Sequence, residues 1–212
     1  MAEIVETLAV GALGCNCSVL AGPDGKSAVV VDPGDEAQRI EDILRTQGLD
    51  LVAIVHTHAH FDHILATGAL ARATGAEVWL HRADLPLYDN VEMQTSMFGM
   101  PVDVDLPAPD RFFEHGDEVA IGEGETLSVL HTPGHTPGSV CFHAMTAGLL
   151  FSGDTLFRMG IGRTDLWGGS YPQMMESIRQ RLLTLPPETK VIPGHGPSTT
   201  IHAEARANPF LS

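Results

Sequence analysis

Four short segments of this 212-residue chain carry side chains of the kind that bind metal ions. The densest is Thr57-His58-Ala59-His60-Phe61-Asp62-His63, which follows the apolar run Leu51–Val55. The others are Thr132-Pro133-Gly134-His135-Thr136-Pro137-Gly138, Phe151-Ser152-Gly153-Asp154-Thr155 and Pro193-Gly194-His195-Gly196-Pro197, each beside a β-rich run. On a helix, His58 and His60 would point about 200° apart, given about 3.6 residues per turn, and could not share an ion. On a loop at a strand end, His58, His60, Asp62 and His63 can converge. Gly and Pro fix the shape of such loops, and loops held by a rigid scaffold are where catalytic groups usually sit.

Together the segments offer five His and two Asp, enough for two ions. Imidazole with carboxylate suits zinc, iron or manganese better than calcium or magnesium. A structural zinc closes with four ligands, commonly with Cys among them. Seven ligands without Cys leave open positions for water. Two ions about 3.5–4 Å apart can share a hydroxide, and a metal ion lowers the pKa of its water to about 7. An ion can also polarise a carbonyl and hold the developing oxyanion. There is no G-x-S-x-G elbow and no Cys in these loops, so a covalent acyl-enzyme is not needed. A thiol, with a pKa of about 8.5, departs without being protonated. An amine needs a proton donor, and none stands out beyond the ligands, so a thioester or ester is favoured over an amide.

The elements that must hold these loops read as a mixed α/β chain. Strands are predicted at Ile4–Val10, Ser18–Ala21, Ala28–Val31, Leu51–Val55 and Glu77–Leu80. Helices are predicted at Glu36–Gln47, stopped by Gly48, and at Ile64–Thr74, stopped by Gly75. The second half repeats the rhythm with strands at Glu118–Ile121, Thr126–Leu130, Val140–Phe142, Leu149–Ser152 and Lys190–Ile192, and a helix at Pro172–Leu185. Residues 89–110 show no clean period. Such short fragments do not fit a simple doubly wound sheet.

Composition narrows the partners. The chain carries 27 acidic and 12 basic residues, a formal charge of −15, and 11 His. That balance disfavours nucleic acid and anionic membranes. At 43% apolar and 18% charged it is a globular chain, and its length suits one domain spanning 1–212. Three Cys, an odd number, argue against a disulfide framework and fit a reducing cytoplasm. The segment Met1–Glu6 has no basic or long apolar character, so no signal peptide is expected, and no apolar run reaches the about 18 residues of a membrane span.

With these residues in view, the chain resembles the metallo-β-lactamase superfamily, and within it the short glyoxalase II-like (hydroxyacylglutathione hydrolase) enzymes. The resemblance runs through Asn16-Cys17, Val31-Asp32-Pro33-Gly34, the four loops, Gly160-Ile161-Gly162-Arg163-Thr164-Asp165 and the tail Asn208-Pro209-Phe210-Leu211. It implies a four-layer αββα sandwich. It also implies that His58, His60 and His135 hold one ion, Asp62, His63 and His195 a second, and that Asp154 bridges them. Asp62, His58 and Asp154 are then catalytic as well as ligating. The ions implied are divalent, zinc in the first place, with iron or manganese as alternatives. The activity implied is hydrolysis of S-lactoylglutathione or another acylglutathione by a bridging hydroxide. The longer glyoxalase II enzymes add a helical region that binds glutathione, whereas here only Gly196–Ser212 follow His195. Arg163 falls where those enzymes keep a basic residue near glutathione, and its fork could meet a carboxylate. The alternative for Arg163 is a structural pair with Asp165.

A mononuclear iron(II) persulfide dioxygenase of the same fold, using His58, His135 and Asp154, is the nearest rival. A small ester or lactone hydrolase is the next. Met93–Met100 is read as ordinary core packing, with a flexible apolar lid as the alternative. Asp32 is read as a turn residue, with orientation of the ligand loop as the alternative. His56 is read as buried structure, and His81, His115, His131, His143 and His202 as packing or surface residues.

Overall fold

The computed structural model describes residues 2–100, 102 and 104–211. Its strands are β1 (Glu3–Val10), β2 (Cys15–Ala21), β3 (Ser27–Val31), β4 (Asp50–Val55), β5 (Glu77–His81), β6 (Arg111–Phe113) and β7 (Glu118–Ala120). They continue as β8 (Thr126–His131), β9 (Val140–Ala144), β10 (Leu149–Gly153), β11 (Leu156–Phe157), β12 (Gly160–Ile161), β13 (Lys190–Pro193) and β14 (Thr199–Thr200). The helices are α1 (Ala37–Gln47), α2 (Phe61–Ile64), α3 (Thr67–Thr74), α4 (Leu85–Tyr88), α5 (Val91–Met97), α6 (Tyr171–Ser177) and α7 (Ile201–Ala207). One six-stranded sheet runs β1-β2-β3-β4-β5-β6, the other β14-β13-β10-β9-β8-β7.

Alternation along the strands makes the layers. On β3, Ala28 and Val30 point to one side and Val29 and Val31 to the other, the two-residue period of a strand. Val29 and Val31 join Val55, Phe113, Val129, Phe142 and Phe151 in the core between the two sheets. Ala28 and Val30 pack with Ile40 and Leu44 of α1 and Leu70 of α3 on the outside of the first sheet. Leu150 and Val191 of the second sheet pack with Met174 of α6 and Ile201 of α7. Helix, sheet, sheet and helix therefore stack as an αββα sandwich, the fold expected. Among the described residues no helix is long and apolar enough to cross a membrane.

The predicted elements recur with shifts that have local causes. Helix α1 ends as read: Gly48 takes a left-handed conformation (φ 67°), and the Leu49 amide reaches back to the Leu44 carbonyl at 2.8 Å. The single helix expected over Ile64–Thr74 is instead two, α2 and α3. The Ala66 amide is taken by the Pro33 carbonyl at 3.0 Å, so the helical ladder breaks there. The expected helix at Pro172–Leu185 is α6 followed by a π-helical turn, Ile178–Leu182. Within 89–110, α5 forms where no period was visible, and β6 follows it.

The four ligand-bearing segments each follow a strand: β4, β8, β10 and β13. The pairings make β8, β10 and β13 run in one direction, so their C-terminal ends lie at one edge of the second sheet. There the Val140 amide donates to the Thr57 carbonyl at 2.7 Å, stitching the first sheet's loop to the second sheet.

Candidate metal centre

All seven candidate ligands meet at that edge. Their donor atoms form three overlapping groups: His58, His60 and His135; His58, His63 and Asp154; and Asp62, His63 and His195. Within each group every donor lies within 4.8 Å of the others. Asp154 spans the set, with its carboxylate 3.5 Å from His135 Nε2, 3.6 Å from His63 Nε2 and 3.8 Å from His195 Nε2. His58 and His60 lie in the loop after β4, as expected. Asp62 and His63 do not: they sit on the short helix α2, with His60 in an extended conformation just before it. The helix turn carries Asp62 and His63 to the second group while the loop carries His58 and His60 to the first.

Four of the five imidazoles are aimed by a bond from the far side. His135 Nδ1 donates to the Arg163 carbonyl at 2.7 Å, and His195 Nδ1 to the Leu13 carbonyl at 3.2 Å. His63 Nδ1 faces Asp32 Oδ2 at 3.1 Å, and His58 Nδ1 faces Thr57 Oγ1 at 3.1 Å. Those partners orient the rings so that four Nε2 atoms point inward. His60 presents Nδ1, 2.8 Å from His135 Nε2.

The donors fit a bound cation. Among the described residues three buried side-chain atoms lack a hydrogen-bond partner, and two of them, His58 Nε2 and Asp154 Oδ1, lie in this cluster. Unpaired buried polar atoms are costly, and a metal ion would satisfy both. Close packing of donors also explains a glycine. A Cβ on Gly194 would strike Asp154 Oδ1 and come within 2.8 Å of His63 Cε1.

Electrostatics separates the donors. Burial, reinforced by the neighbouring His63 and His135, holds His58 well below the usual imidazole pKa. Burial and His135 push His60 down to about 3. Both are therefore neutral, the form that ligates. Burial acts to lower His63 too, but Cys15, Asp62, Asp154 and Asp32 outweigh it and raise it well above the usual value. For Asp62, burial acts upward and is overcome by His63 and His195, which hold the carboxyl low.

Asp32 does more than stabilise its own turn. Its Oδ1 accepts the Thr57 amide at 2.7 Å, and its Oδ2 accepts the Thr57 hydroxyl at 2.6 Å beside His63. It does so from a left-handed conformation (φ 52°), which costs a non-glycine residue about 1–2 kcal/mol. The orienting reading of Asp32 is the one the contacts favour.

Two positioning residues have no mark in the sequence. Asp84, fully buried, accepts from the Ala59 amide at 3.0 Å, the Thr136 hydroxyl at 2.7 Å and the Gly138 amide at 2.6 Å. It ties the His58–His63 loop to the His135 loop. Gln94 of α5 accepts from the Phe61 amide at 3.1 Å and donates to the Ala59 carbonyl at 3.0 Å. Both act on backbone far away in the chain, so only the folded arrangement reveals them.

The other expectations divide. Arg163 is exposed, and its fork is filled by Asp165 at 2.7 and 2.8 Å, while its carbonyl aims His135. The core-packing expectation for Met93–Met100 holds at Met100, which packs against the first sheet's core, and fails at Met93, Met97 and Phe98, which are exposed. They lie on α5 and at its end. His56 is buried, bonded to Thr67 Oγ1 at 3.1 Å. His81 and His131, expected as packing or surface residues, stack on each other with centroids 4.1 Å apart.

An αββα sandwich with a histidine-aspartate cage at one sheet edge defines a class of metal-dependent hydrolases. The profile of the metallo-beta-lactamase superfamily matches residues 10–195, and the chain belongs to that family. The hydroxyacylglutathione hydrolase GloC of Haemophilus influenzae is 39% identical over 209 residues, spanning 98% of each chain. The solved di-iron-bound form of TTHA1623 is 42% identical with a TM-score of 0.89, covering 97% of this chain and all of that one. The BLEG-1 B3 metallo-beta-lactamase is 38% identical with a TM-score of 0.87, covering both chains completely. The chain is accordingly a metallo-hydrolase of this superfamily.

Proposed function

We propose that the chain, acting over 1–212 as one catalytic domain, hydrolyses thioesters of the acylglutathione type. The observation that carries the reading is the cage itself: seven converging donors, two of them buried and otherwise unpaired. His58, His60 and His135 are assigned to one divalent cation, and Asp62, His63 and His195 to a second, with Asp154 between them. Zinc suits the all-nitrogen-and-oxygen donor set, and so does iron, which the related TTHA1623 carries in its di-iron form. Such ions supply a water of lowered pKa and a Lewis acid for the carbonyl.

The chain's own residues supply the rest. Asp32, Thr57 and the Arg163 and Leu13 carbonyls orient four of the imidazoles. Burial of His58 and His60 keeps them unprotonated at neutral pH. Asp154 and Asp62 offset the charge brought by the cations. No side chain in the cage is free to protonate an amine, which favours a thiolate leaving group. Arg163 is the rim cation that a glutathione carboxylate would meet, in exchange for Asp165. The likeness to a hydroxyacylglutathione hydrolase over nearly the full chain supports the same substrate class. Three buried, free cysteines support a reducing compartment such as the cytoplasm.

The test is thiol release from S-lactoylglutathione by metal-loaded protein, run beside metal analysis and oxygen uptake on glutathione persulfide. Thiol release with two ions per chain is expected. One iron per chain with oxygen uptake and no thiol release would replace this reading with the dioxygenase.

A further inference from the structure

On the His60 side of the cage lies a cavity of about 410 Å³ that no assigned role uses. Leu87, Met93, Met97, Phe98, Leu166 and Trp167 line it, together with the metal-site residue His60. Met93, Met97, Phe98 and Trp167 are all about half exposed or more. Contiguous exposed apolar side chains of this kind mark a binding groove. The polar lining offers little to a ligand. Gln94 spends both amide hydrogens on the Ala59 and Leu87 carbonyls and its oxygen on Phe61. Asn90 Nδ2 donates to the Pro86 carbonyl at 2.8 Å. Neither Lys nor Arg appears among the lining residues described.

We propose that this cavity receives the acyl arm of the substrate, so that the preferred substrates are thioesters of apolar acyl groups several carbons long. The inference rests on the thioester reading above and gives it a substrate class. The charges of a glutathionyl half could not be paired in the cavity, and burying unpaired charge is costly. That half therefore lies outward, on the Arg163 side, and the acyl half lies inward. A lactoyl group, three carbons and a hydroxyl, leaves most of the space unfilled. At about 30 Å³ for each water-sized group, the cavity has room for roughly a dozen. The wall is also joined to the cage, because Gln94 holds α5 against the backbone on either side of His60. The overall step is ordinary hydrolysis: water adds across the C–S bond, giving a carboxylate, a free thiol and a proton.

The experiment has a kinetic arm and a binding arm. Acetyl-, butyryl-, hexanoyl- and octanoylglutathione are compared on the metal-loaded enzyme. kcat/KM is expected to rise about fourfold for each methylene buried, until the cavity is full, and Met93→Glu flattens the rise. Octanoate titration is read by Trp167 fluorescence, with Trp167→Phe leaving Trp79 as the control. Quenching that Met93→Glu abolishes supports the cavity even if no acylglutathione is cleaved, in which case the thioester reading alone falls. A kcat/KM that is flat or falls from acetyl to octanoyl overturns the proposal, as does octanoate that leaves Trp167 unchanged. A dimer in sedimentation that buries Trp167 and is broken by Met97→Glu also overturns it, in favour of a second copy of the chain.

Discussion

The cage and the apolar wall beside it share His60 but are built on opposite principles. In the cage, His58, His63, His135 and His195 each have a partner behind the ring, and the loops carrying the ligands are tied together by Asp84, Asp32 and Thr57. On the wall, Met93, Met97, Phe98 and Trp167 are exposed, and the ring of Phe98 leans on Phe61 with centroids 5.1 Å apart. A directional array of oriented rings permits one arrangement, whereas methionine-rich surfaces adapt to varied shapes. The difference teaches that the ligand geometry is rigidly specified, while the surface beside it is left to side chains that can move.

The largest effect that sharpens this contrast comes from the cage. Asp154→Ala removes the carboxylate between the two ligand groups. Turnover is expected to fall by well over the roughly 10–100-fold typical of an outer hydrogen-bond partner, with the circular dichroism spectrum unchanged. Near-normal activity would show that the carboxylate is not a ligand. Chelation by EDTA is expected to remove activity in the wild type and to lower Tm, because a cation held by the folded state alone stabilises it.

Asp84→Ala comes next, since it leaves the cage donors intact and breaks only the tie between their loops. Three donors, at Ala59, Thr136 and Gly138, lose a buried acceptor. A cost of about 1–3 kcal/mol in stability is expected, with metal affinity reduced by roughly 10–100-fold. Denaturant melts and a metal titration measure the two effects. Stability lost without a change in affinity would mean that the ligand geometry does not depend on this tie.

Gln94→Leu acts on the seam between the two regions. The Phe61 amide and the Ala59 and Leu87 carbonyls lose their partner, so a destabilisation of about 1–3 kcal/mol is again expected. Its kinetic signature should differ from that of Asp84→Ala, because both regions shift together. kcat and KM are both expected to change, and to change more for an octanoyl than for an acetyl thioester.

These cases also mark what sequence reading reaches. The seven donors are legible because four crowd into His58–His63 directly after a strand and the other three sit beside Gly or Gly and Pro after strands, and Gly48 and Gly75 stop their helices by a local backbone rule. The sandwich follows from alternation such as that of Ala28–Val31, together with the family resemblance. Asp84 and Gln94 are not legible. Asp84 sits in Arg82-Ala83-Asp84-Leu85, a string with no signature, and its partners lie 25 to 54 residues away. The break between α2 and α3 depends on Pro33, distant in sequence, and α5 shows no period because it leaves Met93 and Met97 exposed while burying the polar Gln94 and Thr95.

The smallest effect concerns histidines outside both regions. His81, at the end of β5, stacks on His131 at the end of β8, with planes 11° apart. Burial, with His131 beside it, lowers the His81 pKa from 6.5 to about 4. The folded state therefore prefers neutral His81. Above pH 6.5 both folded and unfolded chains carry it neutral, and its contribution is fully present. Between pH 6.5 and 4 the unfolded chain takes up the proton first, so that contribution drains away as pH falls. His81→Gln removes the proton-binding group and should lose less stability over the same interval. The gap between wild type and variant, followed by urea melts at pH 7 and pH 4, is expected to change by on the order of 1 kcal/mol after solvent screening. Parallel pH profiles for the two proteins would show that the stacked pair does not carry acid sensitivity, and would leave that sensitivity to the cage.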